Sequence, residues 1–352
     1  MKKKRIGYMA VLALLALGAA GNGTVRTAAE ETPAVIDMAP DTPDIVLLTP
    51  QANLKADAGT LLQPDTEAPA DQNAFGEDSG GNTEAPAVEA PQMDYSQFPR
   101  IDGSLACVPL IEALAVRCTG CSEEEAEDTL SDFVNTNPSY LELAKGNRDI
   151  ILAYEPAETT KEQLKEFPEL TMEAVGRDAL VFIVNKDNPV ESLTTQQLKG
   201  IYTGKITNWS EVGGEDQEIM VFSRPETSGS QTMMRCLLLG DADMAEAVTE
   251  EIPSMEGIIS ALKDYDNSAN AIGYSVYYYA SMMFSQPDLK FLAVAGTEPS
   301  NETIRSDAYP LVNDFYCVTN EQSCENARRI ASWLQTDAGQ EFVEECGYVP
   351  VR

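Results

Sequence analysis

The chain has 352 residues, with 24 Lys and Arg against 57 Asp and Glu, a net charge of −33, and no histidine. So acidic a chain offers no basic surface to a phosphodiester backbone, which excludes nucleic acid as a partner. Without imidazole, Ser-His-Asp and Cys-His catalysis and His-ligated zinc are excluded as well.

Lys2-Lys3-Lys4-Arg5 opens the chain, and the almost wholly apolar run Ile6 to Ala20 ends in the small residues Gly18-Ala19-Ala20. This is the order of a secretory signal, and the run is too short for an ordinary membrane span. Residues 1–23 are therefore expected to direct export, either as a cleaved signal or as an N-terminal anchor. No cysteine follows the run, so a lipid anchor is not indicated. Residues 24–97 are rich in Ala, Pro, Thr, Asp and Glu and poor in aromatics. Such a segment cannot bury enough apolar surface to offset its ordering entropy, and it is expected to be a disordered acidic stalk. A folded domain is expected over 98–352, long enough for two lobes.

Within that domain, the loop Asp102-Gly103-Ser104-Leu105-Ala106 leads into a predicted helix over Val108–Val116, with Pro109 in its first turn. Cys118 and Cys121 form a C-x-x-C, open to reading as a redox pair, half a metal site or a tight structural loop; seven cysteines in all leave one without a partner in the chain. Asn135-Thr136-Asn137 is a capping cluster for a helix over Pro138–Gly146. Ile150–Tyr154 reads as a buried strand ending at Glu155-Pro156, and Ala179–Val184 as a strand covered on both faces. Ser192–Tyr202 is predicted helical and is followed by Ile206-Thr207-Asn208-Trp209 and Gly213-Gly214. Glu218–Phe222 is a short buried strand. Ala271–Tyr277 is a strand whose Gly273 marks the close passage of another backbone. A strand over Pro310–Val318 and amphipathic segments over Glu325–Leu334 and Gly339–Cys346 complete the chain. Strands alternating with helices predict an α/β architecture.

The segment Arg224-Pro225-Glu226-Thr227-Ser228-Gly229-Ser230-Gln231 stands where the strand Glu218–Phe222 hands over to a helix. Ser228 is a good N-cap, Gly229 admits a close approach to the backbone, and Ser230 adds a second hydroxyl. The first turn of such a helix presents free N–H groups, and Arg224 supplies a planar fork for two oxygens. Glu226 is placed to orient that fork. The segment reads as an anion clamp; the plainer alternative is a capped helix with a surface ion pair.

These segments together resemble the phosphate-specific solute-binding proteins of ABC transporters. The motifs that carry the resemblance are Asp102-Gly103-Ser104, Glu155-Pro156, Ile201 to Trp209 with Gly213-Gly214, Arg224 to Ser230, and Ala271-Ile272-Gly273-Tyr274. The resemblance implies a two-lobed fold of the periplasmic-binding-protein type II class, each lobe a mixed sheet flanked by helices, with the ligand in the cleft between them. Lobe 1 is expected over about 98–181 plus 305–352 and lobe 2 over about 182–304. It places Arg224 on the phosphate-binding arginine, Glu226 on the acidic residue that holds it, and Ser228, Gly229 and Ser230 on the donors at the helix start. Ser104, Leu105 and Ala106 fall on the first-lobe loop and Ser139 on a first-lobe serine donor. Glu155 falls on the carboxylate that accepts the proton of hydrogen phosphate, which would reject sulfate through unpaired repulsion.

Two positions depart from the pattern. Leu105 stands where a hydroxyl residue is usual, and Glu155 is one methylene longer than the expected aspartate. The resemblance implies binding of inorganic phosphate or a related oxyanion, without catalysis, cofactor or metal, by an extracytoplasmic monomer that serves ABC transporter membrane subunits. A surface protein that reuses the fold for sensing or adhesion is the alternative, motivated by the stalk and Leu105. A hydrolase is disfavoured, since no nucleophile stands beside a base and no carboxylates cluster for a metal.

Overall fold

The computed structural model describes residues 89–245, 249–264 and 268–352. The expected signal at 1–23, and the expected stalk as far as residue 88, lie outside them. In chain order the strands are β1 Ile101–Gly103, β2 Ile150–Tyr154, β3 Thr171–Asn185, β4 Ser192–Leu193, β5 Met220–Ser223, β6 Thr249–Glu251, β7 Ala271–Val276, β8 Leu289–Phe291, β9 Ala293–Val294 and β10 Val312–Thr319. The helices are α1 Val108–Thr119, α2 Glu123–Thr129, α3 Thr136–Ala144, α4 Glu158–Leu164, α5 Thr195–Tyr202, α6 Gly229–Met234, α7 Met255–Asp264, α8 Asn301–Arg305, α9 Glu325–Leu334 and α10 Asp337–Glu345.

One strand joins the two halves of the sheet. Thr171–Ala179 of β3 pairs antiparallel with β10, and Leu180–Val184 of the same strand pairs antiparallel with β7. The sheet therefore runs β1-β2-β10-β3-β7-β5-β6, with β8 also paired to β3. The parallel pairs β1·β2, β5·β6 and β5·β7 mixed with antiparallel ones make the α/β architecture a mixed one. β2 and β7 are buried at every residue; β2 reads as an unbroken apolar run, and β7 as one interrupted by Ser275. β3 is exposed at Thr171 and Met172 and buried from Asp178 to Asn185, so only its second half carries that signature.

Close packing against the sheet depends on two glycines. A Cβ on Gly176 would stand 2.3 Å from the Phe315 ring, which packs edge-on to Tyr154 at 6.3 Å between centroids. A Cβ on Gly273 would meet Ile258 at 2.8 Å and Leu262 at 3.1 Å. The neighbour of Gly273 is thus a pair of α7 side chains, not the second backbone expected from the sequence. Ser192–Tyr202 also differs from expectation. Ser192 and Leu193 pair in parallel with β9, and the helix starts only after Thr194, whose hydroxyl accepts from Gln197 N in a capping box. Trp209 is buried, and its indole N–H donates to Asn270 O at 2.9 Å.

All seven cysteines are free, so Cys118 and Cys121 form no disulfide. Gly120 between them ends α1 in the left-handed conformation, with φ 72° and its N–H on Val116 O. That geometry fits a tight structural loop. Among the described residues no helix is long and apolar enough to cross a membrane, and no group of three His, Cys, Asp or Glu could hold a metal ion.

The boundary expected at residue 98 falls inside packed chain. Pro91 is buried, Met93 N–H donates to Cys118 O at 2.9 Å, and Gln92 Nε2 donates to Arg117 O at 3.2 Å. Gln97 O accepts from Asn326 Nδ2 at 2.9 Å. Composition hid this, because the anchoring comes from main-chain bonds and a few apolar contacts in an otherwise polar segment. A chain starting at residue 89 is expected to melt like the full chain. A chain starting at residue 98 is expected to melt several degrees lower, since losing about 1–2 kcal/mol of contacts shifts a domain of this size by about 2–4 °C per kcal/mol. Equal melting temperatures for the two truncations would show that residues 89–97 contribute nothing.

Candidate functional site

The first wall of the site is built from the ends of β1 and β2. Asp102 is fully buried; its Oδ1 accepts from Gly103 N at 2.7 Å and Val134 N at 3.1 Å, and its Oδ2 accepts from Arg148 Nε at 3.0 Å. Burial raises its carboxyl above the usual aspartate value, with those partners opposing. Asp102 thereby ties the loop after β1 to the residues that lead into α3. Ser104 and Leu105 come out on the cavity wall with Asn135 and Tyr154. Ala106 does not line the cavity; it is buried behind, and its carbonyl accepts from Tyr348 OH at 2.7 Å.

Asn135 enters α3 with φ 74° and caps it through its own Oδ1 on Thr136 N. That entry angle settles which hydroxyl is free. Thr136 Oγ1 is buried without a hydrogen-bond partner, whereas Ser139 Oγ, one turn later, donates to Thr136 O at 2.8 Å. Ser139, the expected donor, is thus engaged within α3 and is absent from the cavity wall, and the unpartnered hydroxyl nearby is that of Thr136.

The second wall is the expected clamp. Arg224, Ser228, Gly229 and Ser230 line the same cavity, with Met255 and Val276. Ser228 caps α6, its Oγ accepting from Gln231 N at 3.2 Å. Arg224 is 3 % exposed, and its Nε and Nη1 have no partner; Ser230 Oγ, 2 % exposed, has none either. Burial pulls the Arg224 guanidinium below the ordinary arginine value, with Tyr274, Tyr279 and Glu251 opposing.

Glu226 does not hold that guanidinium. Its Oε1 accepts from Arg235 Nη2 at 2.6 Å and Nε at 3.1 Å, and from Gln231 Nε2 at 2.9 Å. Gln231 Oε1 in turn accepts from Tyr274 OH, which accepts from Arg224 N at 2.9 Å. Arg235, Glu226, Gln231 and Tyr274 thus form a chain that fixes the Arg224 main chain and leaves its fork free. Gln231 and Arg235 lie four residues apart on one helical face, which places both beside Glu226. Glu155 is also turned elsewhere. Its Oε1 accepts from Lys161 Nζ at 2.7 Å, its side chain is 41 % exposed, and it is not on the cavity wall.

Across the cavity the two walls touch. A Cβ on Gly229 would stand 2.5 Å from Thr136 Oγ1 and 3.1 Å from Tyr154 Cδ2. Buried Asn137 donates through Nδ2 to Thr227 O at 3.1 Å and Thr232 Oγ1 at 3.2 Å, while its Oδ1 accepts from Ala157 N and Thr160 Oγ1. No feature of the sequence distinguished Asn137 from the rest of its capping cluster.

Behind the cavity, Tyr154 OH donates to Asp178 Oδ2 at 2.7 Å, and Asp178 Oδ1 accepts from Ala179 N at 2.7 Å and Tyr278 N at 3.1 Å. Burial raises the Asp178 carboxyl to about 6, with these hydrogen bonds opposing. A carboxyl raised in the fold contributes stability that is full below the unfolded value near 4 and is lost as pH rises through about 6. Asp178→Asn removes this dependence. The unfolding free energy of the wild type relative to the variant is expected to fall by roughly 2 kcal/mol between pH 4 and pH 7. Parallel stability–pH curves for the two proteins would overturn the assignment.

Seven buried side-chain polar atoms among the described residues have no hydrogen-bond partner, and four of them belong to Arg224 and Ser230 on this cavity wall and to Thr136 beside it. A model of the PBP superfamily domain matches residues 128–345. The chain belongs to the PBP superfamily. It is 25% identical over 268 residues to the phosphate-binding protein PstS of Borreliella burgdorferi, covering 74% of this chain and 92% of that relative. It is 30% identical over 169 residues to the phosphate-binding protein PstS of Bacillus subtilis, covering 48% of this chain and 53% of the relative. Among solved structures it is similar to a putative phosphate ABC transporter substrate-binding protein with bound phosphate from Clostridium perfringens, with TM-score 0.57, 24% identity, and 72% of this chain and 98% of that one covered. It is also similar to an ABC-type phosphate transport receptor from Vibrio cholerae, with TM-score 0.52, 23% identity, and 71% and 98% covered. At these identities the structural likeness establishes the shared fold. The cavity lies between the ends of β1 and β2 and the start of α3 on one side and β5, α6 and β7 on the other.

Proposed function

We propose that this protein binds inorganic phosphate, or a closely related tetrahedral oxyanion, outside the cytoplasm and passes it to the membrane subunits of an ABC transporter without chemical change. The observation that carries this reading is the set of buried, unpartnered donors of Arg224 and Ser230 on one cavity wall, with the unpartnered Thr136 hydroxyl beside Gly229 of that wall. Burying a guanidinium without a counter-charge costs several kcal/mol, and an oxyanion in the cavity offsets that cost. Ser104, Ser228 and Gly229 complete the wall, and Leu105 limits its size. The relatives' names, phosphate-binding protein PstS, support the ligand and the transport role. The leading cations and apolar run of the sequence support export. We place lobe 1 at about 89–181 plus 305–352 and lobe 2 at about 182–304, because β3 changes partner from β10 to β7 between Ala179 and Leu180. The unit of function is a monomer. A carrier needs no nucleophile or base, and the histidine-free chain supplies no imidazole for one. Isothermal titration of the full chain with sodium phosphate tests the reading. Saturable one-to-one binding is expected, and no heat at millimolar phosphate would overturn it in favour of a surface role in sensing or adhesion.

A further inference from the structure

We propose that the cavity does not read the ligand's proton, so that it takes tetrahedral dianions as a class, sulfate as well as phosphate. This rests on the reading of the cavity as an oxyanion site. A site rejects sulfate by facing the ligand with a carboxylate, which accepts from a P–O–H group and repels an oxygen that has no hydrogen to give. No described carboxylate lines this cavity. Glu155, the acceptor expected from the sequence, is held by Lys161 at 2.7 Å outside the wall. Asp102 is fully buried and held by Gly103 N, Val134 N and Arg148 Nε. Asp178 is held by Tyr154 OH, Ala179 N and Tyr278 N, and Glu226 by Arg235 and Gln231. Glu251, which bears on Arg224 by charge alone, is exposed and absent from the wall.

The cavity wall carries one guanidinium, serine hydroxyls and the Asn135 amide, with no carboxylate, and Thr136 Oγ1 stands beside Gly229 of that wall. The Nε–H and Nη1 donors of Arg224 bind any oxyanion and cannot accept. The hydroxyls of Thr136 and Ser230 rotate, so each donates to an unprotonated oxygen or accepts from a protonated one. Hydrogen phosphate therefore gains little from its proton, and sulfate meets no repelling charge. The two should differ only through size and basicity.

The test titrates the full chain with sodium phosphate and sodium sulfate at about pH 8 and fixed ionic strength, and repeats both with Glu155→Gln and Arg224→Ala. Sulfate is expected to bind within about tenfold of phosphate, a difference of roughly 1.4 kcal/mol. Glu155→Gln should leave that ratio unchanged, and Arg224→Ala should remove both ligands. Phosphate binding with sulfate at least a hundredfold weaker would overturn the proposal while leaving the oxyanion reading intact. If Glu155→Gln then collapsed the difference, Glu155 would be the acceptor after all. Absence of binding by either anion would overturn the oxyanion reading and this inference with it.

Discussion

Arg224→Met is expected to abolish phosphate binding and at the same time to raise the melting temperature of the unliganded protein. Both effects come from one buried group. The guanidinium is 3 % exposed, its Nε and Nη1 have no partner, and burial already disfavours its charged form. Truncating one member of a buried charge-assisted contact costs about 2–5 kcal/mol, which is about 30-fold to several thousandfold in affinity. Without ligand the same charge destabilises the fold, because nothing repays its lost hydration. Methionine keeps most of the apolar stem, so the charge is removed without opening a large cavity. A gain of about 1–2 kcal/mol would shift the melt upward by about 2–4 °C per kcal/mol. Phosphate should then stabilise the wild type and leave the variant unmoved, as scanning calorimetry with and without ligand would show. Arg224→Lys should restore a part of the binding, since an ammonium supplies charge without the planar fork. Wild-type affinity in the methionine variant, or a lower melt without ligand, would show that Arg224 is already balanced by a partner.

The part of the site that sequence reveals is the part built by local geometry. Arg224, Ser228, Gly229 and Ser230 are fixed by a strand, a turn and a helix start within seven residues, and the structure puts all four on the cavity. β2 is legible for a similar reason: burial of all five residues leaves nothing polar to blur the run, and in β7 only Ser275 interrupts it. The misplacements all involve a choice that local sequence leaves open. Thr136 and Ser139 are one helical turn apart with the same hydroxyl, and only the structure shows that the second is bonded to Thr136 O while the first is unpartnered. Glu226 could reach Arg224 two residues back or Arg235 two helical turns ahead, and the course of α6 and the π-helical turn Arg235–Leu239 selects the latter. Glu155 is taken by Lys161 of α4, a short polar helix with little apolar periodicity to announce it. In α7 the signal was present in Ile258, Ile259 and Leu262, all buried, and a helical-spacing count would have found it.

Gly229→Ala is the second substitution expected to act strongly, and its effect should fall on binding more than on folding. Gly229 opens α6 in a conformation that other residues adopt, so alanine there favours the helix by about 1 kcal/mol. The difficulty lies across the cavity. The added Cβ would stand 2.5 Å from Thr136 Oγ1 and 3.1 Å from Tyr154 Cδ2, both on the opposite wall. Tyr154 cannot yield freely, because its hydroxyl is tied to Asp178 at 2.7 Å and its ring packs on Phe315. The methyl group must therefore push the walls apart where Arg224 and the hydroxyls converge. Overpacking of this kind costs about 1–3 kcal/mol, or about 5- to 150-fold in phosphate affinity. Thr136→Ala removes the closest atom and one oxyanion donor together, so alone it should also weaken binding. In the double variant the relief and the loss are coupled, and the two penalties should not add. Gly229→Ala/Thr136→Ala is expected to bind phosphate more tightly than Gly229→Ala alone in the same titration. Additive penalties in the double variant, or a Gly229→Ala protein that binds like the wild type, would mean that Gly229 and Thr136 are not in contact when the ligand is bound.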